Sequence, residues 1–201
     1  MSTNHVKTGP IGLDAIIDQV QRKIFELKDV WGVPAVPGSP GTPAIPVELT
    51  GYPRCYILQN DETKKTIEAY LEGNDYSGTL IFSEDNKFFF IAPNDIIKES
   101  ANYYTTEVEL FVIVNVKECK PAITTHRADE EVRADVLNVL NRIPAIRVNK
   151  IVINIDRVFN RYNSRISQSF EYEYTDDMQP YHCFKIEMTV LPYMLDQTTC
   201  N

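Results

Sequence analysis

The 201-residue sequence contains none of the short motifs that mark the common classes of enzyme. It has no G-x-S-x-G nucleophile turn, no G-x-x-x-x-G-K-S/T phosphate loop and no G-x-G-x-x-G dinucleotide motif. The isolated serines Ser77, Ser83 and Ser164 have no paired histidine. We therefore predict a protein that is not an enzyme and that binds no cofactor.

Cysteine and histidine are few and widely spaced. The four cysteines form no C-x-x-C pair and stand at no zinc-ligand spacing from the three histidines, so we predict no metal site; they are Cys55, Cys119, Cys183 and Cys200. We expect reduced thiols, three of which pack as small hydrophobic side chains in strands. His182 and Cys183 are adjacent, but neighbours on a strand point to opposite faces, so they do not form a thiol–imidazole pair.

Long hydrophobic runs and excess positive charge are also missing. No segment approaches the roughly 18 apolar residues of a membrane helix, and the first ten residues lack the apolar core of a secretion signal. We expect a chain made in the cytoplasm with no membrane partner. The 20 basic residues are outnumbered by 28 acidic ones, which gives a net charge of −8. An acidic surface of this kind disfavours a phosphate-binding groove.

Two segments show the periodicity of amphipathic helices. "GLDAIIDQVQRKIFELKDV" places Leu13, Ile16, Ile17, Val20, Ile24 and Leu27 on one face. "THRADEEVRADVLNVLNRI" predicts a second helix, capped by Thr125 or Asp129, whose apolar face comprises Val132, Val136, Leu140 and Ile143.

The patterns in most of the remaining chain predict β-strands. They are "RCYILQ", a hairpin in "TLIFSEDNKFFFIAP" that turns at 84–87, "TEVELFVIVNVKE", "IRVNKIVINIDRVF", "SRISQSFEYEYTDD" and "YHCFKIEMTVLPY". In the last strand, Phe184, Ile186, Met188 and Val190 are predicted to face inward, and Lys185, Glu187 and Thr189 outward. "DETKKTIEAYLEG" predicts one or two helical turns. The pattern indicates a single α+β domain over 1–201, a mainly antiparallel sheet with both helices on one face and a flexible tail at 194–201.

The segment from Trp31 to Pro53, "WGVPAVPGSPGTPAIPVELTGYP", contains six prolines and four glycines. X-Pro steps favour extended backbone, and connections longer than roughly 12–15 residues are usually functional or mobile. We therefore predict an extended arm that contacts another subunit or protein. Its candidate assembly residues are Trp31, Pro34, Pro37, Pro40, Pro43, Pro46 and Tyr52.

The order of these elements resembles that of the tail terminator and head–tail completion proteins of tailed bacteriophages. Gly51-Tyr52-Pro53 leads into "RCYILQ", and "TEVELFVIVNVKE", "ADEEVRADVLNVLNRI", "VNKIVINI" and "CFKIEMTVLPY" follow in the family's order. The resemblance implies a structural virion protein that forms a six-fold or twelve-fold ring at the neck or tail end. Its implied partners are the portal, a connector or the tail tube, with packaged DNA passing through the ring.

Two other classes of function remain open on the sequence alone. One is a small acidic adaptor or binding module that does not self-assemble. The other is a metal-dependent nuclease, in which Asp156 would act with the "KIE" triplet, Lys185 to Glu187, although this triplet reverses the usual Glu-x-Lys order. Aromatic residues at 88–90, 103, 104, 162, 172 and 174 would suit base stacking, but the acidic net charge favours ordinary strand and interface positions for them.

Overall fold

The computed structural model describes residues 1–33, 45–59, 65–71, 78–79, 86–92, 96–100, 102–123, 127–153 and 181–194. The helices in these ranges are α1 (Leu13–Phe25, continued by a 3-10 turn over Glu26–Asp29), α2 (Val116–Cys119) and α3 (Ala128–Leu140). The strands are β1 (Thr3–Asn4), β2 (Gly32–Val33), β3 (Ile45–Pro46), β4 (Thr50–Gln59), β5 (Lys65–Ala69), β6 (Gly78–Thr79), β7 (Lys87–Ile91), β8 (Ile97–Ser100), β9 (Tyr103–Asn115), β10 (Ile146–Val152) and β11 (Tyr181–Met194).

One sheet carries most of these strands, in the order β10-β11-β9-β7-β4-β5-β6, with β1 beside β4 and β8 beside β9. Most neighbours are antiparallel, but β4 pairs in parallel with both β1 and β7. Between β4 and β7 the chain passes through β5 and β6. It then returns to the side of β4 running in the same direction, so β4 and β7 are parallel. The α+β class is confirmed, whereas the predicted antiparallel sheet is in fact mixed.

Both long helices pack on one face of the sheet, as the periodicity predicts. The shared core contains the stripe of α1, the stripe of α3 and the alternate residues of β9 and β11; these are Leu13, Ile17, Val20, Ile24, Val132, Val136, Leu140, Val108, Leu110, Val112, Val114, Phe184, Ile186, Met188 and Val190. Burying each side chain stabilises the fold by about 1.5–3 kcal/mol. Asp14 in the first turn of α1 and Arg22 and Lys23 in its last turn also complement the helix dipole.

The opposite face of the central strands is buried as well. Phe89, Phe111 and Ile113 are fully buried there, and Cys183 is nearly so. Lys185 lies on the same face of β11 and is only 2 % exposed. The prediction that Lys185 faces solvent is therefore wrong, because an alternating pattern shows which residues share a face but not whether that face is covered.

Two predicted elements around the sheet are wrong. The helical turns expected at Asp61–Gly73 are replaced over Lys65–Ala69 by β5, which pairs with the end of β4. Residues 80–85, which include most of the first strand and the turn of the expected hairpin, lie outside the described residues. The second strand, β7, does not pair as expected, because it lies between β4 and β9, while β6 pairs with β5. In both cases long-range strand pairing overrides a weak local preference.

The ends of β9 and α3 also differ from expectation. β9 stops at Asn115, whose side-chain oxygen accepts hydrogen bonds from the backbone N–H groups of Lys117 and Glu118 and so starts α2. The N-cap of α3 is Arg127, which makes no side-chain cap, so Asp129 is a first-turn residue and not the predicted cap. Thr125, Cys200, the strand expected at 164–177 and the tail beyond 194 lie outside the described residues.

Candidate assembly site

The Pro/Gly segment begins and ends in a small two-stranded ribbon formed by β2 and β3. Gly32 pairs with Pro46 and Val33 pairs with Ile45 in antiparallel register. Gly32 has a φ of 101°, and a Cβ atom there would lie 2.2 Å from the carbonyl oxygen of Ile45. Only glycine tolerates both conditions, so this residue type permits the two strands to meet. We call Gly32–Val33 and Ile45–Pro46 the ribbon.

The ribbon is anchored in the core at both ends. On one side, Trp31 is 2 % exposed, and its Nε1–H donates a hydrogen bond to Asp135 Oδ2 at 2.9 Å. Lys120 Nζ lies 2.5 Å from the same oxygen, so one carboxylate of α3 holds both groups. On the other side, Val47 and Leu49 are buried in the core shared with the helices. The base of the ribbon is therefore held in a fixed position on the domain.

The last residues of the predicted arm belong to the sheet. Thr50–Pro53 form the start of β4, where Gly51 pairs with both Asn4 and Phe88. The Tyr52 ring stacks on His5, with 5.0 Å between ring centroids. The arm therefore ends before residue 50 and not at Pro53, and Tyr52 is a half-buried sheet residue. Pro34, Pro37, Pro40 and Pro43 lie outside the described residues.

The ribbon presents apolar side chains to solvent. Val33 and Ile45, which form a cross-strand pair, are 42 % and 63 % exposed, and nearby Val30 is 64 % exposed. Pro46, the one predicted assembly proline among the described residues, is exposed as well. Contiguous exposed apolar side chains are characteristic of contact surfaces, whereas single ones are common on any protein.

A groove of about 770 Å³ lies beside the ribbon. It is lined by the N-terminal residue, the ribbon, the link from β3 to β4, the residue before β7, the residues around α2 and the first residue of β11; these are Met1, Gly32, Val33, Ile45, Pro46, Val47, Glu48, Thr50, Asn86, Lys117, Glu118, Pro121 and Tyr181. Its volume falls within the range of about 300–1,000 Å³ that is typical of ligand sites. The strands of the ribbon therefore carry exposed apolar side chains and also line this concave surface.

A closed hydrogen-bond network forms part of the groove wall. The Asn86 side-chain amide donates to Glu118 Oε2 at 2.8 Å and to the Glu48 carbonyl oxygen at 3.1 Å. Asn86 Oδ1 accepts from the backbone N–H of Asn115 at 2.6 Å, and Asn115 Nδ2 donates to Glu118 Oε1 at 3.0 Å. Both carboxylate oxygens of Glu118 are thus engaged within the subunit. The network therefore fixes this wall of the groove, while the exposed Lys117 and Pro121 also line the groove.

Sequence reasoning missed Asn86, Glu118 and Asp135. A local signal existed for one of them, because Asn115 followed by Glu118 has the spacing of an N-cap and its N3 partner in a capping box. No local signal links Asn86 or Asp135 to the arm. Asn86 lies 38 residues from Glu48 and Asp135 lies 104 residues from Trp31 in the sequence.

The expected lack of a His182–Cys183 pair agrees with the geometry. Cys183 is 2 % exposed, and burial raises the pKa of its thiol, which makes it a poor nucleophile. His182 lies on the helix side of β11, where Arg133 donates a hydrogen bond to its Nε2 at 2.8 Å. Burial, together with the charge of Arg133, lowers the pKa of His182 to about 4. His182 is therefore a neutral acceptor at pH 7.

Asp129 has a structural role in the same cluster. It accepts hydrogen bonds from Arg127 and from Arg133, each at 2.7 Å. Burial alone would raise the pKa of Asp129, but these two hydrogen bonds outweigh it and lower that pKa to about 2. The carboxylate stays ionised at neutral pH and fixes the guanidinium that contacts His182.

We expect His182 to make stability depend on pH. Its pKa of about 4 in the fold lies below the usual 6.5, so its contribution is complete above pH 6.5 and is lost as the pH falls towards 4. After allowance for partial exposure, the wild type should lose about 2 kcal/mol of unfolding free energy between pH 7 and pH 4 through this group. Urea unfolding at both pH values should show a smaller loss for His182→Gln. Equal losses in the two proteins would contradict the assignment.

Only part of the alternative sites lies among the described residues. In that part of the chain no cluster of three or more His, Cys, Asp or Glu side chains could hold a metal ion. The proposed nuclease residue Asp156 lies outside the description. Phe88, Phe89 and Phe90 are fully buried and cannot stack on bases, whereas Tyr103 is 45 % exposed. None of the helices described has both the length and the apolar character of a membrane span.

Comparison with known proteins adds no relative. The chain matches no protein-family model, no curated protein and no solved structure.

Proposed function

We propose that this protein is a structural virion subunit that forms a ring at the phage neck or tail end, where it joins head to tail or terminates the tail. The observation that carries the proposal is the exposed Val33–Ile45 edge of the ribbon, which is anchored in the core by Trp31 and lies beside a groove. The order of elements in the sequence supplies the link to phage proteins.

A ring of identical subunits needs two different, complementary surfaces on each subunit. Head-to-tail interfaces of this kind generate a closed ring when a whole number of the rotations between neighbouring subunits adds up to a full turn. The ribbon supplies the exposed apolar Val33–Ile45 edge, and the residues around α2 that line the groove supply the second surface. In the proposed ring, the ribbon and the Pro/Gly segment of one subunit contact the groove side of the next. Burial of the exposed apolar side chains of the ribbon then drives association.

The charge of the subunit fits the same role. A net charge of −8 on each chain gives a ring a strongly negative potential. Such a surface repels DNA phosphates, so packaged DNA passes without binding. The partners of the ring are the portal, a connector or the tail tube, which would contact the faces of the ring above and below.

We expect the wild type to form a discrete species of six or twelve times the 23.0 kDa chain, and Ile45→Glu to reduce it to monomer. The substitution places a charge on a side chain that is 63 % exposed, so the fold should be unaffected while the apolar contact is lost. Mass photometry and light scattering across a concentration series measure this directly, with circular dichroism to check folding.

The matched control is Ile97→Glu. Ile97 lies on β8 away from the ribbon and is 61 % exposed, so the charge change and the loss of apolar area are the same. This variant should assemble as the wild type does. If Ile97→Glu dissociates the ring and Ile45→Glu does not, the interface lies at the other end of the sheet. A wild type that stays monomeric at every concentration would refute the ring and favour the adaptor class.

A further inference from the structure

The buried second face of the sheet contains a lysine and two glutamates in contact. Lys185 Nζ lies 3.0 Å from Glu109 Oε1, and the two side chains are 2 % and 1 % exposed. Glu187 Oε1 lies 3.4 Å from the same nitrogen, and its side chain is 30 % exposed. An amine therefore faces one fully buried carboxyl group and a second one that reaches solvent.

The strand register fixes this arrangement. β9 and β11 are antiparallel neighbours in which Glu187 pairs with Glu109 and Lys185 pairs with Phe111, so Lys185 and Glu109 are diagonal neighbours on one face. The Phe111 ring centroid is 5.9 Å from Nζ, and this ring stacks on Phe89 at 4.9 Å. Two central strands and an aromatic pair thus hold the amine against the carboxyl group with little freedom to separate.

Burial of this pair favours a neutral product over two charges. Removing an amine and a carboxylate from water carries a desolvation cost of several kcal/mol per ion, and their mutual attraction does not always offset it. An amide has no charge and avoids that cost. Groups held in contact also react as if present at an effective concentration of about 10⁵–10⁸ M, which favours condensation over the separated ions.

We propose that Lys185 and Glu109 condense into an intramolecular isopeptide bond. Nζ attacks Cδ of Glu109, the Nζ–Cδ bond forms, one Cδ–Oε bond breaks, and water leaves. The ammonium group gives up two protons, and both depart with the released oxygen. Glu187 accepts one of these protons from Nζ and delivers it to the leaving oxygen. No oxidant, metal or other reagent is consumed.

The bond would connect the two longest strands of the sheet across their middle. It does not depend on the proposed ring, because every participating atom belongs to one chain. Its consequence is that β9 and β11 stay joined when the rest of the fold opens. A cross-link of this kind stabilises mainly by restricting the unfolded chain.

Mass spectrometry of the denatured wild-type protein tests the proposal. The intact mass is expected to be one water lower than the sequence mass, allowing for processing at the N-terminus. Trypsin should not cut after Lys185, and the peptides containing Glu109 and Lys185 should remain joined. Lys185→Arg keeps the positive charge and should restore the full mass, whereas Glu187→Gln should show slower loss of water after synthesis.

Lys150→Arg is the matched control, since Lys150 is an exposed residue of β10 in register with Glu187. It should lose water as the wild type does. A wild-type chain that keeps its full sequence mass after days at 37 °C, and that trypsin cuts after Lys185, overturns the proposal without reference to any variant. This outcome would leave the ring proposal unaffected, because that is measured by assembly mass.

Discussion

Replacing Trp31 with alanine is expected to lower the free energy of unfolding by about 3–5 kcal/mol. The indole is 2 % exposed in the core beneath the helices and donates its N–H to Asp135. The substitution leaves a cavity and removes the anchor of the ribbon, so assembly should be lost along with stability. Urea unfolding followed by circular dichroism measures the change, since Trp31 is the single tryptophan and fluorescence would vanish with it.

Val30→Ala is the control for this experiment. Val30 is the preceding residue and is 64 % exposed, so its truncation should change stability by no more than about 0.5 kcal/mol. Trp31→Phe keeps an apolar ring but not the N–H, and should therefore show an intermediate cost. If Trp31→Ala costs no more than Val30→Ala, the ribbon is not anchored as described.

The second large effect is expected at Gly51, where alanine should cost about 3 kcal/mol by overpacking. A Cβ atom there would lie 2.6 Å from Phe88 Cζ and 2.6 Å from Asn4 Oδ1. Phe88 is fully buried between helices and sheet and cannot move away without displacing its neighbours. The glycine is thus required by close packing in the strand, and no left-handed backbone is involved. Thermal and urea unfolding measure the loss.

Two variants separate this steric cause from others. At Gly9, which has a φ of 59° and nothing within 4 Å of an added Cβ, alanine should cost only about 1–2 kcal/mol of backbone strain. Adding Phe88→Leu to Gly51→Ala should recover part of the lost stability, because the shorter side chain leaves room. If the double variant loses as much unfolding free energy as the two single variants together, the result would argue against a steric contact between residue 51 and Phe88.

Local periodicity was sufficient to locate α1, α3 and the inward faces of β9 and β11. Each of these elements is long and has a continuous apolar stripe, so its own residues specify both its type and its buried side. The same argument failed at Lys65–Ala69, where a short segment joins the sheet because a free strand edge is available. It failed again at Lys185, because alternation does not indicate whether the second face is covered.

At the candidate site, too, some features could be predicted from local sequence and others could not. The proline-rich composition singled out the segment, but it counted Trp31, which is buried in the core, among the assembly residues and placed the far boundary inside β4. The groove depends on Asn86, Glu118 and Asp135, which meet Glu48 and Trp31 only after the chain has folded.

The sequence by itself determined the class of fold, the two amphipathic helices and an unusual Pro/Gly segment, because these are properties of contiguous residues. Only the tertiary structure decided the mixed order of the sheet, the ribbon beside its groove and the burial of Lys185 against Glu109. Those features arise from contacts between residues far apart in the chain, and such contacts are selected by the packing of the whole core and not by any local preference.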